Sequence, residues 1–182
     1  FDGGGALMNQ SIHAIDLLQW FMGPVTQVTG YAETLAHENI EVEDTAVAIL
    51  KFANGALGVI EGTTGAYPGS YKKIELSGSS GSIIIEEENL TTWKFSEELP
   101  QDEKIRRDFA ALTASGGGAA DPAAIGYHGH KLQFMNVLDS IEQGRKPLID
   151  GVEASKAVEV IQAIYRSAQS GAPINLPLGR PD

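Results

Sequence analysis

Apolar residues recur at three- and four-residue steps from Ala6 to Met22, through Met8, Ile12, Ile15 and Met22 with Leu18 alongside, and Gly23-Pro24 follows. That spacing predicts an amphipathic helix with a firm stop. Beyond Pro24 the period changes to two. Val25–Ala32, Glu41–Phe52 and Ala56–Thr63 alternate and are rich in β-branched residues, and Asn54-Gly55 between the last two predicts a hairpin. Three shorter strands are expected at Tyr71–Ser77, Ser82–Glu86 and Leu90–Phe95, punctuated by Gly78-Ser79-Ser80-Gly81 and Glu88-Asn89. The helical period returns at Asp102–Ala114, and again at Gly129–Gln143, where apolar residues recur at Leu132, Met135, Leu138 and Ile141. Asp150-Gly151-Val152-Glu153 has the form of a capping box with Asp in the capping position. The helix behind it turns Val158, Ile161, Ile164, Tyr165 and Ala168 inward and stops at Gly171.

Helix, strands, helices is an α+β arrangement: a predominantly antiparallel open sheet of about six strands, with helices on one face. Apolar residues occupy both parities in Ala46–Leu50 and Leu57–Ile60. A sheet with one wet face would alternate more cleanly, so the other face is expected to be used for contact with a subunit or domain.

Composition excludes several classes. At 182 residues the chain is one ordinary domain that needs no staple to fold. It holds no cysteine, which removes disulfides, thiolate catalysis and cysteine-based metal sites. Thirteen basic against 24 acidic side chains, net −11, speak against nucleic acid or an anionic membrane as partner. No apolar run approaches the roughly 18 residues of a membrane span. A cytoplasmic enzyme or binding domain is the expectation. The chain opens Phe1-Asp2-Gly3-Gly4-Gly5 without a methionine, which reads as a trimmed terminus or a piece of a larger protein.

On a 100° wheel Asn9, His13, Asp16 and Trp20 fall within about 60° of one another, beside the apolar face. An amide, an imidazole, a carboxylate and an indole on one stripe can reach a shared cleft. Histidine exchanges protons near neutral pH, and Asn9 one turn earlier can hold a hydroxyl beside it. Taken alone, the same residues also read as surface or capping groups around a satisfied core histidine. The three glycines before the helix lower the cost of something approaching the backbone, at a helix end with free N–H groups.

The stretch Gly3-Gly4-Gly5-Ala6-Leu7-Met8-Asn9-Gln10-Ser11-Ile12-His13-Ala14-Ile15-Asp16 resembles the glycine–histidine–aspartate signature of the Gfo/Idh/MocA family of NAD(P)-dependent oxidoreductases. The resemblance continues through Val42-Glu43-Asp44-Thr45-Ala46, Asn54-Gly55, Gly144 to Gly151 and Tyr165-Arg166-Ser167-Ala168. It implies that residues 1–182 are the family's C-terminal substrate-binding and oligomerisation domain, with the N-terminal Rossmann domain absent from this chain. It further implies an enzyme that moves a hydride between NAD or NADP and a secondary hydroxyl of a sugar, nucleotide-sugar or cyclitol. His13 would then be the catalytic acid/base and Asn9, Asp16, Tyr127 and His130 substrate contacts. Gly4 and Gly5 would meet the cofactor, which the missing domain mainly binds, and no metal would be needed. A homo-dimer or homo-tetramer through the sheet face is implied, and the domain alone would be inactive. Inositol dehydrogenase-like members carry Asp where this chain has Asn9, and an amide can position a hydroxyl but cannot relay its proton. Two other readings of the same architecture are an NAD-dependent glycosidase and a non-catalytic sugar or cofactor sensor.

Weaker signals remain. His128-Gly129-His130 with His13 has the residue types of a metal site, but the acids nearby are few, and a substrate contact or a cap suits it better. His37, among Glu38, Glu41, Glu43 and Asp44, reads as a solvated loop residue, and Glu86-Glu87-Glu88 as a solvated strand end. Trp93 reads as sheet packing or interface.

Overall fold

The computed structural model describes residues 4–87, 89–113 and 128–179. The chain divides into two compact units, Phe1–Ser70 with Ile149–Asp182, and Tyr71–Leu148. No helix among the described residues is long and apolar enough to cross a membrane.

The first unit opens with a π-helical turn at Leu7–Ser11 that runs into helix α1, Ile12–Met22. Strands β1 (Val25–Glu33), β2 (Thr45–Phe52) and β3 (Leu57–Thr63) follow, and helix α4 (Gly151–Ser170) and a two-residue strand β7 (Ile174–Asn175) complete it. The sheet order is β3-β2-β1-β7. Every ladder in it is antiparallel, with Val28 opposite Leu50 and Ala48 opposite Ile60. β2 shows the period of two in its burial: Ala46, Ala48, Leu50 and Phe52 face inward, while Val47, Ile49 and Lys51 face out. The inner face meets Leu7, Ile15 and α4, whose Ala157, Val160, Ile161, Ala163 and Ile164 are buried. The centre of α4's buried face therefore lies on Val160 and Ile161. Val158, Tyr165 and Ala168, expected inward, are half-buried at its margins.

α4 approaches so closely that a Cβ at Gly30 would stand 3.1 Å from Ile164 and 2.9 Å from the Val47 carbonyl. The Gly30 N–H donates to Ser167 Oγ at 3.1 Å, and that hydroxyl donates to the Ala172 carbonyl at 2.8 Å. Asp150 caps α4 as its sequence suggests, its carboxylate accepting from Val152 N at 2.9 Å and Glu153 N at 3.0 Å. Asn54 in the β2–β3 turn reaches back 3.0 Å to the Met22 carbonyl and ties the end of α1 to the hairpin.

The second unit holds β4 (Lys73–Gly78), β5 (Gly81–Glu86) and β6 (Asn89–Phe95), with helices α2 (Pro100–Thr113) and α3 (His128–Glu142). Its three strands form their own antiparallel sheet, β4-β5-β6. The six expected strands are thus present but shared between two sheets. The eleven residues 34–44 run between β1 and β2, whereas short turns join β2 to β3 and β4 to β5. The nine-residue passage from Thr64 to Lys72, with Pro68 and Gly69, has no such turn to bring β4 beside β3.

Three sequence expectations change in detail. The strand expected from Glu41 begins at Thr45: Glu43 gives its main-chain carbonyl to Ala6 N and not to a strand, and Asp44 bonds Glu33 and Thr64 only at the very end of the ladder. The apolar stripe of α3 does not face a core: Leu132, Met135, Leu138 and Ile141 are all exposed. Glu86 and Glu87 are half-buried, and Glu87 accepts from Lys72 N at 2.7 Å, so these two belong to the end of the β4–β5 ladder, while Glu88 lies outside the described residues. Trp93 packs edge-on to Phe95, with ring centres 5.2 Å apart, and donates to Asp102 at 3.0 Å.

Candidate functional site

The helix that carries His13 has no capping side chain of its own. Ala6 stands at its start with helical backbone angles and no side-chain cap. A helix start leaves N–H groups without partners, and their burial has to be compensated. Here the compensation comes from a distant loop. The main-chain carbonyl of Glu43 accepts from Ala6 N at 3.0 Å, and Glu43 Oε1 accepts from Leu7 N at 2.9 Å. Tyr165, from α4, donates its hydroxyl to the same Oε1 at 2.9 Å. Burial, and then the bond to the Glu43 carboxylate, push the Tyr165 phenol far above its ordinary value, so it stays a donor.

Gly5 is what lets Glu43 in. It is buried, and a Cβ there would run into the Glu43 carboxylate and carbonyl. A Cβ at half-buried Gly4 would meet the Met8 side chain at 2.5 Å. Met8 and Glu43 thus pack close against the backbone of the two glycines.

The π turn sets the phase of α1. One extra residue in a turn shifts the helix by roughly 100°. On an unbroken α-helix Leu7 and Ile15 would lie about 80° apart, and with the extra residue they fall within about 20°. Both are buried, at 0% and 2% exposure, against the sheet. The opposite side of the helix is left to solvent. Asn9, His13, Asp16 and Trp20 are all exposed, and among the described residues their side chains make no hydrogen bond to the protein. Trp20 meets Phe21 edge-on, with ring centres 5.3 Å apart. Asp16 and Trp20 also border a cavity of about 370 Å³, shared with Gln19, Ile149, Lys156 and Leu176.

A second carboxylate orders the loop before β2. Asp44 is buried and accepts from the backbone N–H groups of Leu35, Ala36 and His37 at 3.0, 2.7 and 2.8 Å, and from Thr45 Oγ1 at 2.9 Å. The backbone donors of His37 and Leu35 lead in holding its carboxyl well below the usual carboxylate range. His37 is exposed, yet its Nε2 lies 3.1 Å from the Thr64 carbonyl, so it joins that loop to the end of β3.

The structure thus brings Gly4, Gly5, Asn9, His13 and Asp16 onto one helix and its lead-in. His130 lies in the second unit, exposed in the first turn of α3, and Tyr127 lies outside the described residues. Among the described residues no three His, Asp or Glu side chains gather closely enough to hold a metal ion. Glu43 and Tyr165 were not singled out from sequence. The signal was there in part, since an inward tyrosine on an apolar helix face must find a partner for its hydroxyl.

Comparison with known proteins bears on this arrangement. The model of an oxidoreductase family's C-terminal alpha/beta domain matches residues 2–176. The WlbA dehydrogenase from Bordetella pertussis, solved with NADH and UDP-GlcNAcA, superposes with a TM-score of 0.81 at 37% identity, covering 97% of this chain and 49% of that one. Scyllo-inositol 2-dehydrogenase (NAD(+)) of Bacillus subtilis is 23% identical over 97% of this chain and 49% of its own length. Myo-inositol 2-dehydrogenase of Thermotoga maritima is 35% identical over 52% of this chain and 30% of its own length. The chain accordingly spans about half the length of these relatives, or less.

Proposed function

This chain belongs to the Gfo/Idh/MocA oxidoreductase family, matching its C-terminal alpha/beta domain, and from that premise we propose that it is the substrate-binding and oligomerisation part of an NAD(P)-dependent dehydrogenase. The enzyme acts on a secondary hydroxyl of a sugar, nucleotide-sugar or cyclitol. One observation carries the reading. Asn9, His13 and Asp16 stand exposed and uncommitted on a helix whose start is locked from behind.

In this reading His13 exchanges the hydroxyl proton, and the Asn9 amide orients that hydroxyl one turn earlier. Asp16 binds further hydroxyls, beside the cavity it shares with Trp20. A dinucleotide cradle of the parallel βαβ kind is not what the described residues build. All their strand ladders are antiparallel, and the room at Gly5 is filled by Glu43. This supports NAD or NADP being held mainly by another part of the enzyme, so that this domain alone transfers no hydride. The chemistry that such a cofactor supplies is hydride exchange.

Identity to a nucleotide-sugar-bound structure is 37% over 97% of the chain, against 23% over the same share for the scyllo-inositol enzyme. Together with Asn9 in place of an aspartate, this supports a nucleotide-sugar ahead of a cyclitol. Subunits associate through the outer face of the first unit's sheet, where Tyr31, Val47, Ile49, Leu57 and Val59 are exposed.

The test is a substrate panel of UDP-linked sugars and uronic acids, free sugars and cyclitols, each with NAD+ and NADP+, on the full-length gene product. Reduced nicotinamide should accumulate with at least one member and disappear in the His13→Ala variant. Absence of turnover across the panel would sink the reading, and release of free sugar without net reduction would replace it by a glycosidase.

A further inference from the structure

Three facts meet at the start of the helix that carries His13. The N–H groups of Ala6 and Leu7 are bound by Glu43, from a loop 36 positions away from Leu7, and not by a local cap. The acceptor oxygen is itself held by Tyr165 of α4, a further 122 positions along. The turn these bonds enter, Leu7–Ser11, is π-helical, and it includes Asn9 and ends just before the α-helical turn containing His13.

A π turn is the less favoured form of a helix and survives where neighbouring contacts hold it. Its relaxation to α would rotate the residues before it by up to roughly 100° relative to those after it. Gly5 would be carried round the axis, and Asn9, inside the turn, would shift relative to His13 by part of that angle, while α1, anchored by buried Ile15, would stay in place. We propose that Glu43 and Tyr165 are positioning residues, a two-sided clamp that holds the π turn in register so that Asn9 and His13 act on one hydroxyl. The inference rests on the dehydrogenase reading above for its consequence in catalysis. Its structural half stands apart from that reading.

The Glu43 carboxylate and the Tyr165 hydroxyl are engaged with the helix start, so the signature the clamp predicts is a loss of rate with little loss of binding. In the full-length protein Tyr165→Phe and Glu43→Ala should each lower kcat at least tenfold while KM changes less than threefold. Glu43→Gln keeps an oxygen that can accept from Leu7 N and from the Tyr165 hydroxyl, and should recover at least a third of the wild-type kcat. Ser167→Ala is the control for general loosening of α4. It removes the buried acceptor of Gly30 N on the same helix, and should lower stability without altering kcat below its melting range.

A second measurement does not depend on turnover. In the 182-residue chain, hydrogen exchange at Ala6 and Leu7 should accelerate at least tenfold in Tyr165→Phe and stay near wild type in Glu43→Gln. Unchanged exchange at these amides overturns the clamp outright. So does a Tyr165→Phe enzyme with kcat within twofold of wild type, or a Ser167→Ala enzyme that loses rate equally. If the exchange pattern appears but wild type turns over nothing, the clamp stands as architecture and the dehydrogenase reading is what fails.

Discussion

The hydroxyl of Tyr165 donates to Oε1 of Glu43 across 2.9 Å, and the same oxygen accepts the Leu7 N–H at 2.9 Å. A loop, the last helix and the first helix of the unit are pinned together at that one carboxylate oxygen. The junction fills the space behind the His13 helix and leaves the helix front and the outer sheet face open, and each of these has a measurable consequence.

Gly5 and Glu43 should behave as a coupled pair. Gly5→Ala puts a methyl group into the space of the Glu43 carboxylate, and overpacking of this kind costs about 1–3 kcal/mol. In the Glu43→Ala background the same change should cost less, with the main-chain carbonyl of residue 43 still crowding the added methyl group. A double-mutant cycle by urea unfolding measures the coupling, and strict additivity would show that the two residues do not compete for space.

Asp44 should make the fold acid-sensitive. Its folded-state pKa is depressed, so its contribution is fully present above the unfolded aspartate value near 3.9 and is lost as pH falls through the folded value. Wild type should exceed Asp44→Asn in melting temperature by a constant margin above about pH 5, and the margin should shrink steadily below that. Thermal melts from neutral to strongly acidic pH decide it. A margin that does not depend on pH would mean that the four hydrogen bonds do not distinguish carboxylate from amide.

His13→Ala should separate activity from stability. The residue is exposed, so unfolding free energy should move by no more than about 0.5 kcal/mol. Turnover of the full-length protein should fall by about 10²- to 10⁴-fold, the usual weight of a general acid or base. A large stability change would instead show that the imidazole serves the fold.

The outer sheet face should carry assembly. Leu57 and Val59 are 71% and 73% exposed on β3, beside Ile49 on β2 and in the same outward register. Ile49→Lys with Val59→Glu should reduce the particle mass found by light scattering to that of a single chain and leave the circular dichroism unchanged. A mass unaffected by both changes would place the subunit contact elsewhere.

Much of this molecule is legible from its order of residues. Periods of 3.6 and 2 mark elements through local sterics and side-chain direction, which is why α4, its Asp150 cap and the β2–β3 hairpin stand where the pattern puts them. The row Asn9, His13, Asp16 and Trp20 was visible on a wheel for the same reason. β7, two residues long, offers no period to read.

What the sequence could not determine depends on distant partners. Whether six strands join in one sheet or two is settled by which edges meet after the passage from Thr64 to Lys72, and no local preference encodes that. The π turn shows up only once Leu7 and Ile15 must both face the same core and Glu43 and Tyr165 reach the helix start. Burial of unpaired N–H groups is a property of the folded surroundings, so only the tertiary structure could turn Gly5 from an open approach into a seat for Glu43.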